Sequence, residues 1–352
     1  RYYPNIIIHN KITPEPNPYQ GVGLIPLLCM DLMKERDKFE AELKQAKPGS
    51  ELYKVLKLRR NAVKYLLNSV YGYLAFRRSR VFKKELAAKI TALGRNHLLD
   101  MIEYVRKLGY RVLYSDTDSI FIQVEFDKTE QLARKINDYL SRWGLKIKFE
   151  KYFESVMFVG KKKCYGGWVV FEDGKPCRYL LIKGFGYVRG DCPKIARKLQ
   201  KLAFELLLGG KKEEFIKIVK ETIRKIQSNE LDYDLIAVPK TMSKHYSQYN
   251  PKPNFVRGVI YSEKYLGIKI PPREPFKMLY IKGIKGYPPT DVVCYLEKHQ
   301  LPKGITLDKN KIIEKCVKTK IEDFLKVAGL SWSEVFGGVK SGRNLALTKF
   351  FK

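Results

Sequence analysis

The chain has 352 residues, 45% of them hydrophobic, so it is long and apolar enough to fold around more than one core and is not a disordered chain. No apolar run reaches the roughly 18 residues of a membrane span, no signal sequence is apparent, and the six cysteines have neither metal-binding nor disulfide spacing, so we expect a protein of a reducing compartment that is not secreted. The 68 Lys and Arg residues against 37 Asp and Glu residues give a net charge of +31, which indicates a polyanionic partner; because the basic residues follow the whole chain, nucleic acid is favoured over an acidic membrane.

The first third of the chain is predicted to begin with an extended segment and to continue with three long helices. Four prolines in residues 1–20 argue against a helix beyond the first few positions: Pro4, Pro14, Pro16 and Pro18. Helices are predicted at about 24–45 and 51–70, and the short turn between them favours an antiparallel hairpin. A third helix, at about 83–108, is expected to end at Gly109, a residue type that favours the left-handed cap conformation.

The rest of the chain is predicted to mix strands with helices. Two strands, at 110–115 and 119–126, are joined by a turn, and further strands are expected at 145–149 and 168–171. Helices are predicted at 129–143, 194–208, 212–228 and 309–329. The alternation predicts an α+β fold, and the residues beyond Pro193 are interpreted as a separate, mostly helical domain.

The turn between the first two predicted strands holds two carboxylates. Asp116 and Asp118 stand two residues apart between apolar strands, with no cation nearby in sequence. Side chains at i and i+2 of an extended chain point to the same side, so both carboxylates can hold a hard cation such as Mg²⁺, and two such ions would serve phosphoryl transfer. Asp is also a common turn former, so the turn by itself leaves a purely structural role open. An EF-hand is excluded because the loop lacks the required Gly and the distal Glu.

One face of the second predicted helix is polar. At about 100° per residue, Arg60, Lys64, Asn68 and Tyr71 fall within an arc of roughly 80°. A charged stripe is often no more than a solvated face. This one ends in an amide, a phenol and Gly72, which suit base stacking and a close approach of backbone to a ligand, and Lys64 can supply a positive charge to a triphosphate.

The polar helix face and the acidic turn together resemble two known motifs. Lys64-x-x-x-Asn68-Ser69-x-Tyr71-Gly72, followed by Tyr114-x-Asp116-Thr117-Asp118-Ser119, is similar to motifs B and C of family B DNA polymerases. Reverse transcriptases carry two adjacent aspartates at the corresponding turn, so the intervening Thr117 favours the DNA polymerase family.

The resemblance implies a right-hand polymerase architecture. It would have a mixed α/β palm in residues 1–20 and 83–190, helical-hairpin fingers in residues 21–82, and a mostly helical thumb in residues 191–352.

Three further segments resemble the same family, in the expected order. Lys162-Lys163-Cys164-Tyr165 is similar to the Lys-Lys-Arg-Tyr motif that holds primer–template, with Cys164 in place of the arginine. Lys183-Gly184-Phe185 to Val188-Arg189-x-Asp191 is similar to the passage from palm to thumb. Tyr2-Tyr3-Pro4 resembles the end of motif A, whose metal-binding Asp would then lie before Arg1. The resemblance thus implies DNA contacts by Lys162, Lys163, Tyr165 and Arg189.

The resemblance also implies contacts to the incoming nucleotide. Tyr3 would pack under the sugar and exclude a 2′-hydroxyl, and Asn68 and Tyr71 would line the nascent base pair. Arg36 would grip the γ-phosphate. Lys64 would neutralise the leaving pyrophosphate and could donate a proton to it.

Two positions depart from the family pattern or match it loosely. The lysine expected four residues after Arg36 is Glu40, and Lys44, which is nearer than Lys38 to the same helix face, is the expected substitute. Glu150 aligns with a carboxylate near the metals, although an ion pair with its lysine neighbours is the alternative reading.

The function expected from these residues is template-directed DNA synthesis. Asp116 and Asp118 would hold two Mg²⁺ ions while a primer 3′-hydroxyl attacks the α-phosphate of a dNTP, with Lys64 as a further catalytic residue. The expected partners are primer–template DNA, dNTPs, an N-terminal polymerase polypeptide that carries the motif A Asp and is needed for activity, and a sliding clamp; no membrane is expected. The expected location is intracellular, cytoplasmic or nucleoid-associated. The alternative is a catalytically inactive, DNA-binding subunit derived from a polymerase, against which the intact Asp116, Asp118, Lys64 and Tyr71 argue.

Overall fold

The computed structural model describes residues 1–16, 21–185, 190 and 192–337, and the chain divides into two compact units, Arg1–Glu150 and Lys151–Lys352. Each unit has a hydrophobic core of its own. In the described ranges, no helix combines the length and the apolar composition that crossing a bilayer requires. Four of the six cysteines are buried: Cys29, Cys192, Cys294 and Cys316.

The first unit consists of helices and one β-hairpin in its described residues. In chain order these are α1 (Tyr2–His9), α2 (Leu24–Gln45), α3 (Glu51–Ala75), α4 (Lys84–Lys107), β1 (Arg111–Asp116), β2 (Ser119–Gln123) and α5 (Thr129–Leu140). The helices meet in a core where Ile6, Leu74, Ile90 and Ile136 are at most 1% exposed. This core fixes α1 against α3 and α4.

The predicted hairpin of α2 and α3 is confirmed. Ser50 caps α3, since its hydroxyl oxygen accepts a hydrogen bond from the backbone N–H of Tyr53 at 3.1 Å. The helix continues past its predicted end at residue 70 and includes Gly72. A glycine inside a helix costs about 1 kcal/mol, which is less than the roughly 1.5–3 kcal/mol gained by burying a side chain such as Leu74.

The predicted end of the third long helix is also confirmed. Gly109 has a φ of +86° and follows the C-cap residue Leu108. Its N–H donates to the carbonyl of Arg106 at 2.9 Å, and the N–H of Tyr110 donates to the carbonyl of Val105 at 3.2 Å. These two hydrogen bonds are those of a Schellman motif, so the glycine ends α4 and turns the chain into β1.

The extended conformation expected for residues 1–20 is wrong for Tyr2–His9, which form α1. Pro4 is the third residue of this helix, where a missing N–H breaks no intrahelical hydrogen bond and a fixed φ near −65° suits the helix. Ile6 and Ile7 are fully buried. Tertiary packing of these two side chains therefore decides the conformation of the segment.

The strand expected at 145–149 is absent from the described structure. The side-chain amide of Asn137 donates to the carbonyl of Ile147 at 3.1 Å and accepts from its N–H at 2.8 Å. An asparagine on α5 thus takes the place of a neighbouring strand, because it satisfies the same two backbone groups.

The second unit contains two antiparallel sheets and several helices in its described residues. Its strands are β3 (Lys151–Phe158), β4 (Tyr165–Glu172), β5 (Lys175–Lys183), β6 (Val238–Thr241), β7 (Pro275–Ile284), β8 (Val292–Tyr295) and β9 (Ile305–Leu307). Its helices are α6 (Lys194–Leu208), α7 (Lys212–Gln227), α8 (Tyr233–Ile236), α9 (Asn254–Leu266), α10 (Lys309–Ile312), a π-helix (Ile313–Lys318), α11 (Thr319–Val327) and α12 (Trp332–Phe336). Strands β3, β4 and β5 form a meander, and β7 pairs with β6, β8 and β9.

The predicted helices at 194–208 and 212–228 are confirmed as α6 and α7. The sheet of β6 to β9 is not predicted by the sequence pattern. All four residues of β8 are buried, so this strand lacks the alternation of apolar and polar residues by which a half-exposed strand is identified. The region after residue 193 is therefore a mixture of helices and strands.

Candidate functional site

Asp116 and Asp118 lie at a two-residue hairpin turn. Strand β1 pairs with β2 in a register that sets Asp116 opposite Ser119, with Thr117 and Asp118 between them. The N–H of Asp118 and the hydroxyl of Ser119 both donate to the carbonyl of Asp116, at 2.7 Å and 3.1 Å. Thr117 has a φ of +58°, a left-handed conformation that is strained for a β-branched residue. Backbone strain of this kind concentrates at functional sites.

The two carboxylates differ in exposure. Asp116 is half-buried and accepts a hydrogen bond from the hydroxyl of Thr117 at 3.1 Å, whereas Asp118 is exposed. Carboxylate oxygens are the ligands that Mg²⁺ prefers, so this donor set fits that ion. Within the ranges the structure describes, no three His, Cys, Asp or Glu side chains come together as a metal-binding group. Mg²⁺ held by Asp116 and Asp118 would therefore complete its coordination with water, substrate or a further carboxylate.

Helix α1 brings Tyr2 close to Asp118. The Tyr2 hydroxyl donates to the carbonyl of Gly94 on α4 at 2.6 Å. A Cβ atom at Gly94 would lie 3.1 Å from the Tyr2 ring and 3.4 Å from Ile6, so the glycine allows α1 to pack closely on α4. Burial first, and then the charge of Asp118, raises the pKa of Tyr2 to about 12. The phenol therefore stays protonated at neutral pH, beside the acidic turn.

Tyr3 joins the acidic turn to α3. Its ring and that of Tyr71 have centroids 5.0 Å apart and planes inclined by 39°. Burial raises the pKa of Tyr3, and Tyr71 and Asp118 raise it further. Tyr71, at the end of the polar face of α3, therefore contacts a tyrosine of α1 that is close enough to Asp118 to be affected by its charge.

Two cations from the hairpin converge on the start of α1. Arg36 of α2, Lys64 of α3 and Asp118 of the turn all lie within electrostatic range of the backbone nitrogen of Arg1, the residue before α1. Asn68 is exposed on α3 between Lys64 and Tyr71.

Arg36 is held by the glutamate that stands where the family pattern has a lysine. Both Nε and a terminal nitrogen of Arg36 lie 3.0 Å from Oε1 of Glu40. The other carboxylate oxygen of Glu40 lies 3.1 Å from the Arg1 guanidinium, which also pairs with Asp37. This network fixes the guanidinium of Arg36 and offsets part of the positive charge of the hairpin.

A cavity of 110 Å³ borders Asp118 on the side of α1 and α4, and Asn5 and His97 are among its lining residues. His97 is buried, its ring stacks on Trp143 with centroids 4.5 Å apart, and burial lowers its pKa. Motif spacing does not identify Tyr2 or Asn5 as neighbours of Asp118, nor Gly94 as the residue on which Tyr2 packs. The isolated glycine in the middle of a predicted helix was the available signal, since such a residue often marks close packing.

The residues expected to bind DNA belong to the second unit. Lys162 and Lys163 are exposed in the loop between β3 and β4, and Tyr165 begins β4. Arg189 lies outside the described residues. Glu150 is exposed at the end of the first unit, and its role at the metals stays a prediction.

The structure brings two of the sequence motifs together. Tyr165 pairs with Lys183 in the β4–β5 ladder. The Cys164 thiol donates to the carbonyl of Gly184 at 3.4 Å. Gly184 has a φ of +79°, and a Cβ atom there would lie 2.1 Å from the carbonyl oxygen of Lys163, so only glycine fits. The Lys-Lys-Cys-Tyr and Lys-Gly-Phe segments are therefore adjacent and in direct contact, although they are about 20 residues apart in the chain.

Comparisons with known proteins agree on one family. The family described as DNA polymerase family B matches residues 3–311. DNA polymerase 2 of Aeropyrum pernix is 31% identical over 298 residues, which are 81% of this chain and 36% of that protein. The DNA polymerase of Archaeoglobus fulgidus is 29% identical over 262 residues, which are 74% of this chain and 32% of that protein.

A solved structure gives the same result. The family B DNA polymerase of Pyrobaculum calidifontis superposes with a TM-score of 0.62 at 28% identity and covers 93% of this chain and 43% of its own. The chain spans about a third of the length of the curated relatives it matches.

Proposed function

The chain belongs to DNA polymerase family B, and from this membership we propose that it carries out part of template-directed DNA synthesis, in which a primer 3′-hydroxyl attacks the α-phosphate of a dNTP. The observation that carries the proposal is the contact between the rings of Tyr3 and Tyr71, 5.0 Å apart, which joins α1 to the helix face that bears Lys64, while Tyr2 of α1 lines the same cavity as Asp118. A metal-bound nucleoside triphosphate needs cations for its phosphates, a carboxylate for its metal and aromatic rings beside its sugar and base.

Asp116 and Asp118 are the proposed metal ligands. Two Mg²⁺ ions bound there would neutralise charge on the reacting phosphate. We further propose that a carboxylate from outside these 352 residues completes the site, carried by an N-terminal polymerase polypeptide. This extension is supported by the similarity of Tyr2-Tyr3-Pro4 to the end of motif A.

The other proposed roles follow from position on α1, α2 and α3. Tyr3 packs under the sugar of the dNTP, and Tyr71, against which it lies, lines the nascent base pair with Asn68. Arg36 and Lys64 bind the phosphates, and Lys64 can donate a proton to the pyrophosphate as it leaves. The hairpin in residues 21–82 is the proposed fingers, residues 1–20 and 83–190 form the palm, and residues 191–352 form the thumb.

The second unit is proposed to hold the primer–template duplex. Lys162, Lys163, Tyr165 and Arg189 are the proposed contacts, and the exposure of Lys162 and Lys163 supports the proposal. Because such contacts reach phosphates and sugars, they position the duplex without reading its sequence. A sliding clamp is a proposed further partner, and the proposed place of action is intracellular and DNA-associated.

The proposal is tested by primer extension with the purified 352-residue chain at matched DNA occupancy. The assay is run with and without a polypeptide that supplies the palm strand bearing the motif A Asp. Extension is expected only in the mixture. Asp118→Ala is expected to reduce it to a few per cent or less while leaving DNA affinity nearly unchanged, because DNA binding is mainly electrostatic. Asp127→Ala, which removes another exposed carboxylate of the same unit, is the control.

Each result has one interpretation. Substantial extension by Asp118→Ala would overturn the metal assignment. Extension by the chain alone would overturn the requirement for an external carboxylate. Firm DNA binding without extension, both with and without the added polypeptide, would favour the alternative of an inactive, DNA-binding subunit.

A further inference from the structure

Glu40 pairs with Arg36 and so reduces the positive charge that α2 can offer to a phosphate. Glu40 accepts from Arg36 through one oxygen and pairs with Arg1 through the other. A triphosphate is strongly anionic and is bound by several cations acting together. A hairpin that binds a triphosphate is therefore expected to use a further cation, because Glu40 offsets part of the charge of Arg36.

Counted in residues from the turn, Arg60 is at the same height on the hairpin as Arg36. The two residues stand equally far from the turn between α2 and α3, about 13 Å along the helix axes at 1.5 Å per residue. Lys44, the substitute favoured by the sequence, is exposed near the end of α2, about 12 Å along the axis from Arg36 and towards the tip of the hairpin. Arg60 is therefore the better placed of the two.

The Nε atom of Arg60 lacks an acceptor. It is buried, and no hydrogen-bond partner for it exists in the described part of the chain. Orphaned buried donors are rare in native proteins, and an absent water or ion is one of the explanations for them. A guanidinium presents its donors as a rigid fork that matches the oxygens of a phosphate, so phosphate is a suitable acceptor.

Arg60 shares its helix face with residues of the proposed nucleotide site. Lys64 follows one turn later, so the Cβ atoms of the pair are about 5–6 Å apart. Tyr71, farther along the same face, contacts Tyr3. The face thus runs from the acidic turn, past Lys64, to Arg60.

We propose that Arg60 binds the terminal phosphates of the incoming nucleotide and supplies the positive charge that Glu40 removes from α2. The proposal rests on the proposed function, because it requires a dNTP on the face of α3 that carries Lys64. In this chain the acidic Glu40 is on α2 and the basic Arg60 is on α3.

The test is calorimetric titration of the 352-residue chain with tripolyphosphate, dTTP and dTMP, in Mg²⁺ and at constant low salt. Arg60→Met keeps the apolar stem and removes the guanidinium. It is expected to weaken the binding of tripolyphosphate and dTTP by about tenfold or more, because a hydrogen bond to a charged group is removed. The affinity for dTMP should not change. Arg59→Met, the same change on an exposed neighbour off this face, is the matched control and should change affinity less than about twofold.

Lys64→Met separates failure of this inference from failure of the proposed function. If Lys64→Met weakens tripolyphosphate and Arg60→Met behaves like Arg59→Met, the assignment of Arg60 is overturned and the nucleotide site stands. If neither differs from Arg59→Met, the nucleotide site on α3 is overturned as well. Unchanged circular dichroism and thermal midpoints establish that the variants are folded.

Discussion

The rings of Tyr3 and Tyr71 lie with their centroids 5.0 Å apart, one from α1 and the other from the end of the polar face of α3. Asp118 acts electrostatically on Tyr3, so this ring pair connects the acidic turn with the hairpin that carries Arg36 and Lys64. The packing of α1 on α4 at Gly94 holds Tyr3 in place. Selection of the sugar and binding of the phosphates would thus depend on the same short helix.

Tyr3→Ala is expected to relax discrimination against ribonucleotides. Removing the ring would open space for a 2′-hydroxyl, and a steric contact of this kind is worth about 1–3 kcal/mol, or roughly tenfold to a hundredfold. The measurement is the ratio of kcat/KM for rCTP and dCTP in the reconstituted enzyme. Tyr2→Phe, which removes only the hydrogen bond to Gly94, should leave the ratio unchanged. Equal ratios for Tyr3→Ala and wild type would contradict the role of Tyr3.

Lys64→Ala and Lys163→Ala are expected to have separable effects. Lys64→Ala should raise the dNTP concentration needed for half-maximal incorporation and slow the chemical step. Lys163→Ala should weaken duplex binding and reduce the slope of log affinity against log salt by about one for each phosphate that the lysine no longer neutralises. Filter binding across a salt series measures the slope. A larger change in slope for Lys64→Ala would show that the assignments of the two lysines are wrong.

Gly94→Ala is expected to destabilise the first unit. The added methyl group would lie 3.1 Å from the ring of Tyr2, which cannot move away easily because its hydroxyl is bonded to the carbonyl of the same glycine. Overpacking costs about 1–3 kcal/mol, which exceeds the gain of up to about 1 kcal/mol from helix propensity. Thermal unfolding should show a lower midpoint. Gly72→Ala, with no atom within 4 Å of the new Cβ, should raise it instead.

The second unit is expected to become less stable at acidic pH, because the carboxylate of Asp234 is then protonated. This carboxylate accepts from Lys277 at 2.7 Å and from the hydroxyl of the fully buried Tyr295 at 2.9 Å. Burial alone would raise its pKa, but these hydrogen bonds outweigh that effect and hold the pKa below its usual value. A depressed pKa adds stability above the ordinary value for Asp, near 3.9, and the added stability is lost as pH falls through the folded-state value.

Asp234→Ala should therefore lower the free energy of unfolding by about 1–3 kcal/mol at pH 7, since a buried hydroxyl loses its acceptor. The difference from wild type should shrink below about pH 4. Urea unfolding at several pH values measures it. Tyr295→Phe keeps the ion pair with Lys277 and should retain most of the pH dependence. A difference between Asp234→Ala and wild type that does not vary with pH would contradict the assignment.

Local rules predict the long helices and the acidic hairpin but not the elements that depend on distant contacts. The turn before Glu51 and the cap at Gly109 are encoded within a few residues, and both are confirmed. The helix at Tyr2–His9 depends on burial of Ile6 and Ile7 against other helices. The stretch at 145–149 depends on the side chain of Asn137. Neither of these tertiary contacts can be predicted from sequence periodicity.

Some residues of the candidate site can likewise be identified from the sequence and others cannot. Motif spacing is enough to single out Asp116, Asp118, Lys64 and Tyr71. The i,i+4 spacing of Arg36 and Glu40 is typical of an ion pair on a helix, but nothing in the spacing indicates that Glu40 also pairs with Arg1, 39 residues away in the chain. Nor could spacing identify the position of Gly94 beneath the ring of Tyr2, since that contact joins residues far apart in the chain.

The close fit of Gly184 against the backbone of Lys163 sets a rule for building chimaeric enzymes from this chain and its relatives. A crossover between residues 165 and 183 would combine a basic loop from one parent with a glycine segment from the other. A one-residue difference in the length of β4 or β5 would then shift the pairing of Tyr165 with Lys183 and turn the side chains of one strand to the opposite face of the sheet. Residues 151–185 should therefore be exchanged as one block, with joints placed before β3 and after β5.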